Sequence, residues 1–271
     1  MRLAVFFSHV KAAAKERGMS MDDAFAWVAS LGIEAMDFDA GSLTGGEEEL
    51  VPLLRKHSLS VSSIYGFCSF AEAQPSDADF RLYRLAERCG CGCVMPLPGK
   101  YTEGGDRAAQ WDSITRAMET MALFGKEVGI VTVMENFDAA LSPFSHTDAL
   151  LGLHKAAPDV WITFDTGNFL PAREDPLASY AVLAPFIRHV HLKDHHLTAH
   201  DGAKPSQPLP DGPVVYPAAI GDGIVPIRGL ITRLAKDGYT GAVTMEHFGC
   251  PDQGKAVEAS AAFMRGVLDA L

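Results

Sequence analysis

The sequence predicts a single closed barrel of eight alternating strands and helices, and three observations carry that prediction. Its 271 residues suit one α/β barrel of about 250 residues. Short apolar runs alternate with longer amphipathic stretches from one end to the other, eight times over, as repeated strand-helix units around a parallel sheet require. No Gly-rich phosphate-binding turn follows the first apolar run, and eight strands exceed the roughly five or six of a doubly wound open sheet. The fold class is therefore a (β/α)8 TIM barrel, with residues 1–271 as one domain.

Strands are expected at residues 2–8, 33–38, 59–65, 92–96, 129–135, 160–165, 186–192 and 242–246. Helices are expected at 20–31, 45–57, 77–89, 106–128, 146–156, 174–183, 226–237 and 254–270. The opening Met1-Arg2-Leu3-Ala4-Val5-Phe6-Phe7 is too short for a signal-peptide core or a bilayer span, so it reads as the first strand. Ser20 ahead of Met21-Asp22-Asp23 reads as an N-cap with an acidic first turn, and Gly32, Gly129 and Gly238 read as helix stops. The run Cys89-Gly90-Cys91-Gly92-Cys93 lacks the paired C-x2-C spacing of zinc sites; it reads as small buried residues joining a helix end to a strand start. The longest strand-to-helix connection, about 193–225, is rich in His, Pro, Gly and Asp without periodicity. Long connections inside compact domains are usually functional, and this one is expected to be a lid.

Apolar residues make up 48% of the chain and charged residues 21%, enough for a packed globular core. A net charge of −11 works against binding a phosphate backbone, which draws on clustered Lys and Arg; no nucleic-acid partner is expected. Five cysteines, an odd number, and no secretory leader point to reduced thiols and a cytoplasmic setting. No membrane partner is expected, and a homo-oligomer is compatible with everything above.

A barrel of this kind carries its chemistry at the C-terminal ends of its strands. Read there, Glu135, Asp165, His191 and Glu246 fall on the fifth to eighth strands, one from each. Neighbouring strands lie about 4.8 Å apart, so four side chains on a contiguous arc can converge on one ion about 2 Å from each donor. Three carboxylates and an imidazole form a hard, mostly oxygen set: Mn2+ is the first expectation, with Mg2+, Co2+ and Zn2+ compatible. Strand alternation sends His189 and Lys193 inward with His191, and Thr163 and Trp161 inward with Asp165, while Thr132, Met134, Val190 and Leu192 face the helices. His9 and Asp37 read as the ends of the first two strands, placed either to contact substrate hydroxyls or as an ordinary polar rim. Lys193 is placed to polarise a carbonyl, bind a carboxylate or pair with Asp194. The histidines at 195, 196 and 200 read as solvated loop residues, with one facing the pocket as the alternative, and Phe67, Trp111, Phe137 and Phe248 as apolar walls or core packing.

The chain resembles the xylose-isomerase-like TIM barrels, which include sugar phosphate isomerases, ketose 3-epimerases, hydroxypyruvate isomerase, inosose dehydratase and endonuclease IV. The resemblance rests on Val133-Met134-Glu135-Asn136, Phe164-Asp165-Thr166-Gly167-Asn168, His189-Val190-His191-Leu192-Lys193-Asp194, Ile220-Gly221-Asp222-Gly223-Ile224, Asp237-Gly238-Tyr239-Thr240-Gly241 and Met245-Glu246-His247. It implies that Glu135, Asp165, His191 and Glu246 are metal ligands and that the two glutamates also move protons. The implied activity is isomerisation or epimerisation of a small keto sugar or related polyol, by proton abstraction beside a metal-held carbonyl. The alternative is a metal-dependent dehydratase or lyase of a keto-sugar, which shares that first step. Many members place His three residues after the metal-binding Asp, where it touches substrate or a second metal. This chain has Asn168 there, which can hydrogen-bond a hydroxyl. Where ketose 3-epimerases tend to carry Arg, it reads His195-His196-Leu197. The three-metal nuclease draws two ligands from an Asp-x-His segment before its Ile-Gly-x-Gly motif; here that stretch reads Val214-Val215-Tyr216-Pro217-Ala218-Ala219, which disfavours a nuclease. A noncatalytic sugar-binding protein would not require the four ligands.

Overall fold

Eight parallel strands close into a ring in the computed structural model, which describes residues 1–137, 140–206 and 212–271. The strands are β1 (Arg2–Phe6), β2 (Ala35–Asp39), β3 (Ser60–Phe67), β4 (Cys93–Leu97), β5 (Val131–Glu135), β6 (Val160–Asp165), β7 (Ile187–His196) and β9 (Ala242–Glu246). Pairing runs in chain order from β1 to β7, then to β9 and back to β1. A short strand β8 (Tyr216–Ala218) lies outside the ring, antiparallel to the end of β7. Around the ring run α1 (Phe7–Arg17), α2 (Met21–Ser30), α3 (Ala40–Leu43), α4 (Glu47–Lys56), α5 (Arg81–Cys89), α6 (Arg107–Glu127), α7 (Thr147–Ala156), α8 (Pro176–Leu183), α9 (Ile227–Lys236) and α10 (Gln253–Leu268).

Punctuation read from the sequence acts as expected. Ser20 Oγ accepts from the Asp23 amide at 3.1 Å, and the three glycine stops take left-handed φ of +77, +73 and +79°. Cys89 ends α5 and Cys93 opens β4, with all five cysteines as free thiols. Alternation also holds: Val190 and Leu192 join the core under the helices, and Thr132 Oγ1 reaches Tyr83 of α5 at 2.7 Å. Inside the ring the layers differ in chemistry. Ala4, Ala35 and Ala242 form a small apolar cluster of their own. Above it, buried polar side chains including Asp37, Ser63, Thr163, His189 and Thr244 replace the aliphatic filling usual for such barrels.

Two elements differ from the sequence reading. The first strand, expected to run to residue 8, stops at Phe6, and α1 begins at once and ends at Gly18 in a left-handed cap. Its buried stripe of Phe7, Val10, Ala13 and Ala14 is half alanine and is interrupted by the buried His9, too weak an apolar period to stand out from sequence. Phe7 stacks on Phe38 at 4.4 Å and fastens this helix to β2. The second difference lies in the expected lid. β7 runs on to His196 and pairs with β8, so the 193–225 connection carries a hairpin base; residues 207–211 of it lie outside the described residues.

Candidate functional site

Strand register sets the site. Asp165 on β6 lies beside His191 on β7, and His191 lies beside Thr244 on β9. Glu246 is two residues farther up β9, beside Lys193. Glu135 closes β5 opposite Thr163. Inward-pointing side chains from these positions converge: one donor atom each from Glu135, Asp165, His191 and Glu246 lies within 4.8 Å of the others, and all four residues are buried. His191 Nδ1 stands 2.8 Å from Glu135 Oε2 and 3.7 Å from Glu246 Oε2. The sequence-predicted ligands are thus gathered at one point.

Residues flanking the donors hold the strand ends in place. The Asn136 side chain spans from β5 to β6: its Oδ1 accepts from the Asp165 amide and its Nδ2 donates to the Asp165 carbonyl, both at 3.1 Å. Thr166 Oγ1 does the same from β6 to β7, donating to the Lys193 carbonyl and accepting from its amide at 2.9 Å. Gly167 is needed for this approach, since a Cβ there would sit 2.8 Å from the Lys193 carbonyl oxygen. Asp165 Oδ1 accepts from the Gly167 and Asn168 amides at 2.8 Å. Its Oδ2 is buried without a hydrogen-bond partner, with Lys193 Nζ the nearby charge at 3.7 Å. Buried carboxylate oxygens are rarely left so, and this one faces the other donors. The donor set fits a divalent cation.

The polar layer beneath supports His191. Asp37 Oδ2 accepts from His189 at 2.6 Å and lies 3.1 Å from His191 Nε2, while Ser62 and Thr244 donate to Oδ1. Holding Nε2 leaves Nδ1 to face the carboxylates, the usual carboxylate-histidine-metal arrangement. Burial works to raise Asp37, yet the charge and hydrogen bond of His189 outweigh it and hold the carboxyl below its ordinary range. Burial pushes Asp165 up to about 8 and raises Glu246 too. Burial would lower His191, but the charge of Glu135 and hydrogen bonds to Asp37 and Glu135 hold it well above its ordinary value. Without an ion, protons hold this cluster together.

Above the donors opens a cavity of about 550 Å³, within the range of small-molecule sites, with Glu135, Glu246 and Lys193 at its floor. Its walls include Phe6, Tyr65, Met95, Phe137 and the exposed rings of Phe67 and Phe248. Three of the four expected wall aromatics are there; Trp111 packs against Phe144 at 5.6 Å instead. Lys193 Nζ pairs with Glu246 Oε1 at 2.7 Å and donates to Asn168 Oδ1 at 2.8 Å. Asp194, the alternative partner weighed for Lys193, accepts instead from the amides of His195, Gly221, Gly223 and Val225. The Asn168 amide nitrogen donates to the Asn136 carbonyl at 2.8 Å, so this side chain braces Lys193 and the β5 end from a buried position.

Besides Asn168, which is 1% exposed and lies outside the cavity lining, two more expected substrate contacts are displaced. β1 and β2 end at Phe6 and Asp39, and those residues line the cavity. Asp37 lies a layer deeper at 1% exposure, and His9 sits in the first turn of α1 at 2%. His9 Nε2 accepts from the His247 amide at 2.9 Å, fixing the chain just past Glu246. Burial lowers both imidazoles, His247 to about 3, so the pair is neutral. Of the histidines read as solvated, His195 is 2% exposed and lines the cavity. Its place in an extended β7 was hidden by ending that strand at residue 192.

A closed barrel with a buried cluster of three carboxylates and an imidazole at the C-terminal mouth, able to hold a cation, is thus the class that fold and site define. The chain belongs to the xylose isomerase-like TIM barrel family, whose sequence pattern it matches over residues 25–267. An inosose dehydratase of Bacillus thuringiensis (strain Al Hakam) is 24% identical over 143 residues, covering 51% of this chain and 47% of that protein. The chain thus spans about half the length of the curated relatives it matches. The fold is shared with a probable 3-DHS dehydratase involved in petrobactin synthesis from Bacillus anthracis (TM-score 0.75, 13% identity, 98% of this chain and 99% of that one). It is shared equally with a D-psicose 3-epimerase from Clostridium cellulolyticum H10, solved with D-tagatose (TM-score 0.72, 13% identity, 99% of both chains). These relatives are enzymes. Among the described residues no helix is long and apolar enough to cross a membrane.

Proposed function

We propose that this protein is a divalent-metal-dependent isomerase or epimerase of a small keto sugar or related polyol. The observation that carries the reading is the division of the donor set. Asp165 and His191 lie below the cavity, whereas Glu135 and Glu246 also line it. Glu135, Asp165, His191 and Glu246 would hold the ion, Mn2+ first and Mg2+, Co2+ or Zn2+ compatible, and when bound it supplies Lewis-acid polarisation of a substrate oxygen. Glu135 and Glu246 stand on β5 and β9 and approach the cavity floor from different sides, as one carboxylate that removes a proton and one that returns it must. Burial raises Glu246 above the ordinary carboxylate range, the direction an acid-base carboxylate needs. Lys193, braced by Asn168, binds a substrate oxygen beside Glu246. The aromatic walls fit the C-H faces of a sugar and exclude water.

A dehydratase reading has its own support: the curated relatives matched are inosose dehydratases, and the Lys193-Glu246 pair at 2.7 Å can protonate a departing hydroxyl. The deciding experiment incubates Mn2+-loaded protein with keto sugars and inososes in D2O under NMR. Deuterium uptake with an isomeric product is expected. Loss of water from the product selects the dehydratase, and absence of exchange across the panel rejects both.

Asp37 gives a further check, since it orients His191 without touching the cavity. Asp37→Asn is expected to weaken Mn2+ binding by about 10- to 100-fold, the usual worth of such a supporting carboxylate, measured by calorimetric titration. An unchanged Kd in a folded variant removes Asp37 from the site's support.

A further inference from the structure

We propose that His196, His200 and Asp222 form a second metal site, for zinc or a similar imidazole-preferring ion, which fastens the segment after β7 to the turn at 220–224 beside the cavity. None of the three belongs to the four-donor cluster, and together they offer donor atoms that all lie within 4.8 Å of one another.

The contacts are long for hydrogen bonds and suit coordination: the shortest, His196 to Asp222, is at the outer limit of a hydrogen bond, and His200 Nε2 lies as far from Asp201 Oδ2 as from Asp222 Oδ2, 3.8 Å. His196 Nε2 is 3.4 Å and His200 Nε2 is 3.8 Å from the same oxygen, Asp222 Oδ2. A charge-assisted hydrogen bond would draw such atoms to about 2.7–2.9 Å. Donors sharing a tetrahedral zinc, each about 2.0–2.1 Å from it, stand roughly 3.4 Å apart. The side chains are 22%, 30% and 65% exposed, so an ion can enter and water can complete its shell. Two imidazoles and one carboxylate form a softer set than the cluster below, which suits Zn2+ over Mg2+ or Mn2+.

Two ligands stand on fixed supports. His196 ends β7 and pairs with Tyr216 of β8. Asp222 sits in a turn whose amides at Gly221 and Gly223 bond to Asp194, and the Ile224 amide bonds to the His195 carbonyl at 2.8 Å. His200 is the third, and the chain from it leads to Ser206, a lining residue of the cavity. An ion here would therefore tie the cavity rim to the barrel wall. It would set access to the cavity and take no part in the chemistry below.

The test is zinc stoichiometry by mass spectrometry on tag-free protein, together with hydrogen exchange of residues 197–206. Wild type is expected to hold two zinc ions at saturation, Asp165→Asn one, His200→Gln and Asp222→Asn one each, and the Asp165→Asn/His200→Gln double variant none. Cobalt loaded into Asp165→Asn should give the visible spectrum of a low-coordinate site, lost on adding His200→Gln. Zinc should slow exchange at 197–206 in wild type and Asp165→Asn but not in His200→Gln. Wild-type stoichiometry and exchange in both His200→Gln and Asp222→Asn would overturn the proposal, as would a folded Asp165→Asn that takes up no zinc.

Discussion

Glu135→Gln and Glu246→Gln are each expected to cut turnover by on the order of 10²-fold or more, the usual worth of a positioned general acid or base. Glutamine keeps the size and one oxygen donor but removes the base. In a two-base reaction the variants should differ by direction, one still exchanging the substrate's α-hydrogen with D2O while forming no product. The structure adds an asymmetry. Losing the Glu246 charge leaves Lys193, now 2.7 Å from Glu246 and 3.7 Å from Asp165, to compete with the ion for Asp165. Glu246→Gln should therefore bind Mn2+ more weakly than Glu135→Gln. NMR on Mn2+-loaded variants and calorimetric titration read both effects, and wild-type turnover in either loaded variant eliminates that glutamate as a base.

Asp165→Asn should abolish Mn2+ binding at the four-donor site while the barrel stays folded. The amide oxygen can still accept from the Gly167 and Asn168 amides, so the loss falls on Oδ2, which has no hydrogen-bond partner and has the Lys193 charge nearby at 3.7 Å. Stoichiometry beside circular dichroism measures this, and an unchanged Mn2+ content would refute the site. The same residue sets a pH dependence. Its folded-state value near 8 lies above the ordinary 3.8, so in the metal-free protein its stabilising share is complete below about pH 4 and is lost as pH rises through 8. Metal binding needs the carboxylate and displaces that proton. Apparent affinity should then fall about tenfold per pH unit below 8 for each proton displaced, roughly 100-fold from pH 8 to pH 6 for one. The Mn2+-induced rise in Tm should shrink in parallel, and a rise independent of pH would show that Asp165 is already ionised.

The four clustered donors were legible because each is a charged or imidazole residue at or near the end of a short apolar run, where no packing argument asks for one. Alternation along the strands then separated His189 and Lys193 from Val190 and Leu192. What escaped was positional. Placing the end of β2 at residue 38 pointed to Asp37, whereas the strand ends at Asp39 and Asp37 lies a layer deeper. Ending β7 at residue 192 hid both the inward place of His195 and the hairpin that brings His196 near Asp222. The contact of His9 with the His247 amide joins residues 238 apart in sequence, a pairing that only the closure of β9 onto β1 creates. Local pattern carries no trace of it.

The bracing of strand ends by Asn136 and Thr166 has a thermodynamic consequence. Each side chain bonds both a carbonyl and an amide of the next strand, so the donors are positioned by the closed ring itself. The entropy of gathering three carboxylates around one point is lost when the barrel folds, and Lys193, His191 and the protons that burial favours offset the like-charge repulsion among them. A cation captured there would have little left to organise, and its binding would displace those protons. On the proposed reading, a scaffold of this kind would present its ligands ready-made, and the ion would act less as a template than as a replacement for protons already held.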